Sequence, residues 1–199
     1  DKITKQDVID AYYNILKLGQ KISSTVGSLE FSEIEPLLEQ TIGSLENNSV
    51  ESSKIEKPEL DSAKRVDVIK EDANQAQIYQ GWLVPNFESE DYPVLAVINT
   101  ILGASGLSSR LFLELRDKKG LAYTVRTSCE SHLKSAIFSI YIATEPKNID
   151  VSLVGFKEEI DKIKEELVSE EELTNAKNNI IGKQQFITET NSQQSTALA

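Results

Sequence analysis

The order of strand-like and helical segments constrains this chain more than any other feature. Beyond residue 64, two β-rich runs precede two helical segments, and the pattern then recurs. The β-rich runs either alternate apolar and polar residues or are rich in Val, Ile, Phe, Tyr and Thr, and the helical segments carry apolar residues at helical spacing. This order predicts an α+β fold: an antiparallel sheet with helices packed on one face.

The local patterns also give bounds for each element. We predict strands over 65–70, 76–84, 121–131 and 135–144, the first two as an antiparallel pair, and helices over 91–102, 108–118, 148–167 and from 169 towards 190. Ser169 and Glu172 match a capping box at the start of the last helix.

The first 45 residues predict a helix, a strand over 22–29 and a second helix. Thr4 is expected to cap the first helix, and Ser32 with Glu35 matches a capping box for the second. A polar stretch without periodicity follows, as is typical of a linker. The predicted organisation is a unit at 1–46, a linker at 47–64 and an α+β domain at 65–199 that continues past the last residue.

Composition excludes several classes of partner. Hydrophobic residues make up 39% of the 199 residues and charged residues 27%, which is ordinary for a globular protein. The net charge of −11 and pI near 4.7 would repel phosphate and anionic lipid, so we expect neither a nucleic-acid nor a membrane partner. We expect a soluble protein; its compartment, cytoplasm or periplasm, is not determined by the sequence.

The sequence offers little for catalysis. A hydrolytic zinc site needs three protein ligands, usually including two histidines, and this chain has a single histidine, His132, and a single cysteine, Cys129. In an extended chain, residues three apart point to opposite faces, which argues against a Cys–His dyad. We interpret His132 as a turn or surface residue and Cys129 as a small strand residue. No catalytic residue, metal site or cofactor is therefore assigned to this chain.

One long segment carries a recognisable motif. Residues 103–125 read GASGLSSRLFLELRDKKGLAYTV, with Ser-Arg-Leu-Phe followed by Leu-Arg-x-Lys-x-Gly-Leu-x-Tyr. This order resembles the second-domain signature of the pitrilysin/insulinase/mitochondrial processing peptidase family of zinc proteases. The resemblance extends to 76–85, to the helix around 171–177 and, more weakly, to residues 1–45.

The resemblance implies a specific architecture. Each half of such proteins contains two similar α+β domains forming an αβ-roll, and the zinc motif lies in the first domain of an active half. By this resemblance, residues 1–46 are the closing helix-strand-helix of a preceding domain, and 65–199 are a non-catalytic second domain without its own closing unit. Residues 1–46 would then fill that missing place, either within one chain or in a domain-swapped homodimer. Zinc is expected in the parent protein or in a partner subunit.

The resemblance also implies a substrate-binding pair. Family members use an arginine and a tyrosine seven residues apart to hold the substrate backbone, and Arg116 and Tyr123 match that spacing. The alternative interpretation is structural, since Arg116 would offset a helix dipole and Tyr123 would pack on a strand.

Two other charged groups have simpler interpretations. Arg110 and Glu114 are expected to form a helix-surface pair. A further set of acidic residues predicts a solvated helix face, with attraction of basic peptides as the alternative: Glu158, Glu159, Asp161, Glu165 and Glu166.

These observations favour one function. The chain is predicted to be a non-catalytic substrate-binding domain that clamps extended peptides, or unfolded protein, next to a zinc site outside this chain. The parent protein would be a zinc metalloendopeptidase or its inactive partner subunit. Two alternatives stay open: a non-proteolytic scaffold paralogue of the same family and a stand-alone peptide-binding module.

Overall fold

The computed structural model describes residues 2–17, 21–45 and 54–199. The chain forms two compact units. One contains residues 1–54 and 183–199, and the other contains residues 55–182.

The larger unit is built on a three-stranded antiparallel sheet. Its strands are β1 (Ala76–Val84), β2 (Ala122–Ser131) and β3 (Ala136–Thr144), in the spatial order β1-β3-β2. Trp82 pairs with Phe138 across β1 and β3, and Val125 pairs with Ile142 across β2 and β3. The central strand β3 is the most apolar of the three, as suits a strand with one buried face. Its backbone groups are satisfied by pairing with a strand on each side.

Helices cover one face of this sheet. They are α3 (Tyr92–Asn99), which continues as a π-helical turn over Thr100–Ala104, a π-helical segment over Phe112–Lys118, and two long helices, α4 (Ile149–Glu165) and α5 (Glu170–Phe186). We call Phe112–Lys118 the site helix. The predicted α+β architecture, with an antiparallel sheet and helices on one face, is confirmed.

The core lies between the sheet and these helices. Its buried side chains are Leu102, Leu111, Leu115, Val125, Phe138, Ile140, Ile142 and Phe156. Two glycines allow close approach: a Cβ on Gly103 would lie 2.4 Å from the backbone nitrogen of Thr127, and one on Gly155 would lie 2.3 Å from a Leu115 methyl carbon. Real Cβ atoms do not approach this closely. Gly103 therefore needs to be glycine, because the Thr127 backbone is fixed in β2, whereas the Leu115 methyl group at Gly155 ends a side chain that can shift.

One predicted strand is wrong. Residues 65–70 form neither a strand nor a helix, and β1 pairs with β3 instead. The apolar residues of that segment, Val66, Val68 and Ile69, are 82%, 88% and 91% exposed. An alternating pattern forms a strand only when a neighbouring strand pairs with its backbone. The strand that pairs with β1 is β3, which lies further along the sequence than residues 65–70.

The smaller unit contains helices α1 (Lys5–Lys17), α2 (Phe31–Leu38) with a π-helical turn over Glu39–Gly43, and α6 (Asn191–Leu198). Thr4 caps α1 as predicted: Thr4 N donates to Asp7 Oδ2 at 2.7 Å, and Asp7 N donates to Thr4 Oγ1 at 3.2 Å. The cap of α2 lies two residues earlier than predicted, where Glu30 N donates to Glu33 Oε2 at 3.0 Å.

The predicted strand over 22–29 is also wrong, since those residues form no regular element. A single strand cannot satisfy its own backbone, and the described residues give it no partner. Of the predicted linker, residues 47–53 lie outside the described residues, and 54–64 form neither helix nor strand. No helix among the described residues is both long and apolar enough to span a membrane.

Candidate functional site

The site helix ends in a turn that leads directly into β2. Gly120 has a φ of +62°, in the left-handed region that residues with a Cβ rarely adopt. Gly120 N donates to Arg116 O at 3.1 Å, and Leu121 N donates to Leu115 O at 2.8 Å. This tight turn brings the last turn of the site helix against the start of β2, so residues 116 and 123 become neighbours.

A β-bulge sets the direction of Tyr123. Ala122 pairs with Thr144 and Thr124 pairs with Ala143, which leaves Tyr123 without a partner on β3. Strict alternation from the buried Val125 would put Tyr123 on the core face. The extra residue breaks this alternation, and Tyr123 is 79% exposed. A packing role on the strand, the structural alternative, does not agree with this exposure.

Arg116 is held by two aromatic rings. Its Cζ lies 4.8 Å from the ring centroid of Tyr123 and 4.5 Å from that of Phe112. Both distances suit cation–π contacts, which contribute about 0.5–1 kcal/mol each at exposed sites. The structure thus brings together the two residues predicted to bind substrate. It adds Phe112, which sequence reasoning missed although its spacing of four residues from Arg116 on a helix was the available signal.

The charges around the site helix are arranged differently from the predicted pairing. Arg110 does not pair with Glu114: its guanidinium binds Glu172 at the start of α5, with Nε to Oε1 at 2.7 Å and Nη2 to Oε2 at 2.6 Å. Glu114 instead accepts a hydrogen bond from Lys118, which lowers the pKa of its carboxyl. Within the described chain, Arg116 forms no ion pair with a carboxylate.

The predicted acidic face of α4 is only partly a solvated surface. Glu159 is buried, and Lys162 donates a hydrogen bond to it at 2.5 Å, so the expectation is wrong for this residue. Lys119 pairs with Glu158 at 3.0 Å, and Lys157 pairs with Asp161. Lysines thus pair with three of the five acidic residues, while Glu165 and Glu166 stay exposed, and attraction of basic peptides stays a prediction.

The single histidine and cysteine lie where predicted. His132 is exposed in the turn between β2 and β3, where its backbone nitrogen donates to Ser135 O at 2.8 Å. Cys129 is half-buried on β2 against the core, and this burial raises the pKa of its thiol.

The family model for the M16 peptidase inactive domain matches residues 2–180. This chain belongs to that family. A solved structure of an M16 peptidase inactive domain from Pseudomonas fluorescens has a TM-score of 0.74 and 21% identity over 99% of this chain and 47% of its own. The recognised family, including its non-catalytic second domain, is therefore confirmed.

Relatives of this M16 domain carry protease names. A "Probable inactive metalloprotease" of Bacillus subtilis is 25% identical over 89% of this chain and 41% of its own length. An uncharacterized zinc protease of the same organism is 30% identical over 81% of this chain and 38% of its own length. The M16 domain thus spans less than half the length of these relatives.

The residues present do not fit a zinc site. A zinc site that hydrolyses peptides takes three protein ligands, and the sequence holds one histidine and one cysteine. Among the residues that the structure describes, no group of three His, Cys, Asp or Glu side chains is placed to hold a metal ion. Zinc is expected in this family because its relatives are named zinc proteases, but the described part of this M16 domain shows no site for it.

Proposed function

We propose that this chain is the substrate-binding, non-catalytic domain of a zinc peptidase and that Arg116 and Tyr123 hold an extended peptide beside a zinc site outside this chain. The observation that supports this most directly is the placement of the Arg116 guanidinium over the Tyr123 ring, 4.8 Å away, next to strand β2. A bulge exposes the tyrosine, and neither side chain uses its polar donors in an ion pair with the described residues.

The chemistry of the pair suits a peptide backbone. A guanidinium presents several N–H donors in one plane, and a phenol adds an O–H donor, whereas a peptide offers a carbonyl acceptor at every residue. In the described sheet, β2 is paired only on the side of β3, so its other edge offers unpaired backbone groups. A peptide that adds a strand there would be recognised mainly through its backbone, with loose sequence preference.

The same proposal covers the domain organisation. Residues 1–46 would be the closing unit of a preceding domain, residues 47–64 a linker, and residues 65–199 the second domain. In support, none of the residues of α1 and α2 is buried, and both helices expose large apolar side chains, Val8, Tyr12, Ile15, Phe31 and Leu37 among them. Helices with such faces normally pack against another element. Light scattering on chains with and without residues 1–46 would show whether this unit makes a swapped homodimer.

The test of the binding role uses the full-length protein with its zinc-bearing domain or subunit. Arg116→Gln and Tyr123→Phe should each raise the Kd for an unstructured peptide about tenfold and lower its turnover by a similar factor. The reason is that each variant loses a hydrogen bond from the guanidinium or the phenol to a peptide carbonyl. Arg65→Gln is the matched control, because Arg65 pairs with Asp67 on an exposed segment. Unchanged peptide binding in both site variants would remove Arg116 and Tyr123 from the mechanism.

A second candidate is a scaffold without proteolysis. It is favoured by the Bacillus subtilis relative that is named an inactive metalloprotease and aligns with 89% of this chain. The two candidates differ in one readout, peptide binding, because a scaffold would bind no peptide at Arg116 and Tyr123.

A further inference from the structure

A row of stacked side chains crosses the sheet face opposite the core. The Cζ of Arg126 on β2 lies 5.2 Å from the ring centroid of Tyr141 on β3, and that ring lies 4.6 Å from the ring of Tyr79 on β1. The hydroxyl of Tyr141 donates to Gln77 Oε1. Tyr141 is thus fixed from two sides, and its ring supports the exposed guanidinium of Arg126.

The four arginines of the chain divide into two kinds. Arg65 and Arg110 bind carboxylates, at 3.0 and 2.6 Å, whereas Arg116 and Arg126 lie on tyrosine rings and form no ion pair within the described chain. The latter two stay unpaired there although the protein has 32 acidic residues and only 21 basic ones. A stacked, unpaired guanidinium retains the planar N–H donors that bind a carboxylate with two parallel hydrogen bonds.

The position of Arg126 relates it to the substrate pair. It lies three residues beyond Tyr123 on β2, about 10 Å along the strand. A peptide added to the free edge of β2 would place a side chain opposite Arg126, with Cβ atoms about 5 Å apart, on the side away from Tyr141. That peptide residue would lie about three positions from the one held at Tyr123.

We propose that Arg126, supported by Tyr141, is a subsite for one acidic side chain of the bound peptide, about three residues from the position at Arg116 and Tyr123. This proposal rests on the proposed function. The net charge of −11 opposes acidic peptides at long range, but at physiological salt charges beyond about 8 Å are screened, so the local guanidinium decides the preference.

The experiment measures peptide Kd by fluorescence anisotropy on the full-length protein. The probes are short labelled peptides of equal length in which a single Glu is moved along the sequence, each matched by a peptide with Gln at that place. The wild type should prefer Glu at one position about three- to fivefold, the size of an exposed charge pair, and this preference should shrink at high salt.

Substitutions identify the residue responsible. Arg126→Gln should abolish the Glu preference and leave the Kd of the Gln peptide unchanged, which also shows that the variant is folded. Arg126→Glu should reverse the preference towards a Lys peptide, and a merely structural role would not do this. Arg65→Gln removes the same charge from the same unit and should leave the preference intact.

The outcomes separate the two proposals. Peptide binding without a Glu preference at any position, or a preference that persists in Arg126→Gln, overturns the acidic subsite alone. A uniform loss of affinity for Glu and Gln peptides in Arg116→Gln supports the binding role by itself. If no peptide binds the full-length protein, the binding role and the subsite both fail.

Discussion

Arg110 and Glu172 lie 62 residues apart in the sequence and are joined by two hydrogen bonds, of 2.7 and 2.6 Å. Their side chains are only 19% and 30% exposed. The hydrogen bond from Arg110 to Glu172 raises the pKa of the guanidinium. The pair links Arg110, two residues before the site helix, to the first turn of α5. It therefore helps to hold these two helices together.

Loss of this pair should destabilise the larger unit. Because the pair is partly buried and bidentate, Glu172→Gln should lower the free energy of unfolding by about 1–2 kcal/mol. Urea unfolding followed by the fluorescence of Trp82, the single tryptophan, measures it. Glu145→Gln is the control, since Glu145 and Lys147 form an exposed pair and its loss should change stability by less than about 0.5 kcal/mol. Equal effects of the two substitutions would contradict the structural role of Glu172.

Gly103 should not tolerate a side chain. A Cβ there would lie 2.4 Å from the Thr127 nitrogen and 2.7 Å from its Oγ1, so the helical turn that carries Gly103 would have to move away from β2. Gly103→Ala should cost about 1–3 kcal/mol of unfolding free energy. The matched control is Gly182→Ala, in α5, where nothing lies within 4 Å; it should stabilise the helix by about 0.5–1 kcal/mol. Effects of the same sign would show that Gly103 and Thr127 do not approach each other this closely.

Gly120 should matter to both stability and the site. With φ at +62°, Gly120→Ala should cost about 1–2 kcal/mol of unfolding free energy, whereas Gly120→Asn should cost less because asparagine tolerates this conformation better. The strained turn would also move Arg116 away from Tyr123. Thermal unfolding and the peptide Kd of the full-length protein measure the two effects. An alanine variant as stable as the wild type would exclude the left-handed turn.

Cys129 should react slowly in the folded protein. Burial raises the pKa of its thiol, so the thiolate forms only at higher pH than in the unfolded chain. Because the folded pKa is raised, the contribution of this group to stability is complete below the unfolded pKa and is lost as pH rises through the folded one. The pH profile of iodoacetamide alkylation should therefore lie at higher pH in buffer than in urea. Coincident profiles would mean that the thiol is solvated in the native state.

Several elements could be predicted because their signals are local. The cap at Thr4 and the start of α5 at Ser169 depend on residues within a few positions of one another, and β2 and β3 are consecutive strands joined by a short turn. The motif from 103 to 125 identified the family for the same reason, since its residues are contiguous in the sequence.

Other elements depended on distant partners. Residues 65–70 and 22–29 have strand-like composition but form no strand, because a strand needs a neighbour and the described residues provide none for either segment. Arg110 was predicted to pair with Glu114 four residues away, but its Nε and Nη2 both bind the carboxylate of Glu172, and Glu114 pairs with Lys118 instead. Local spacing does not show which of several partners lies nearest in space.

The sequence by itself determined the fold class, the family and the two residues of the candidate site, since these are encoded in periodicity and in one contiguous motif. The tertiary structure alone decided that a bulge exposes Tyr123, that Phe112 and Tyr123 enclose Arg116, and that Arg126 lies on Tyr141. The physical reason is that strand register and side-chain stacking are set by pairing between distant segments. The pairing of β3 with β1 and β2 positions Tyr141 and creates the bulge, so neither can be derived from the local sequence.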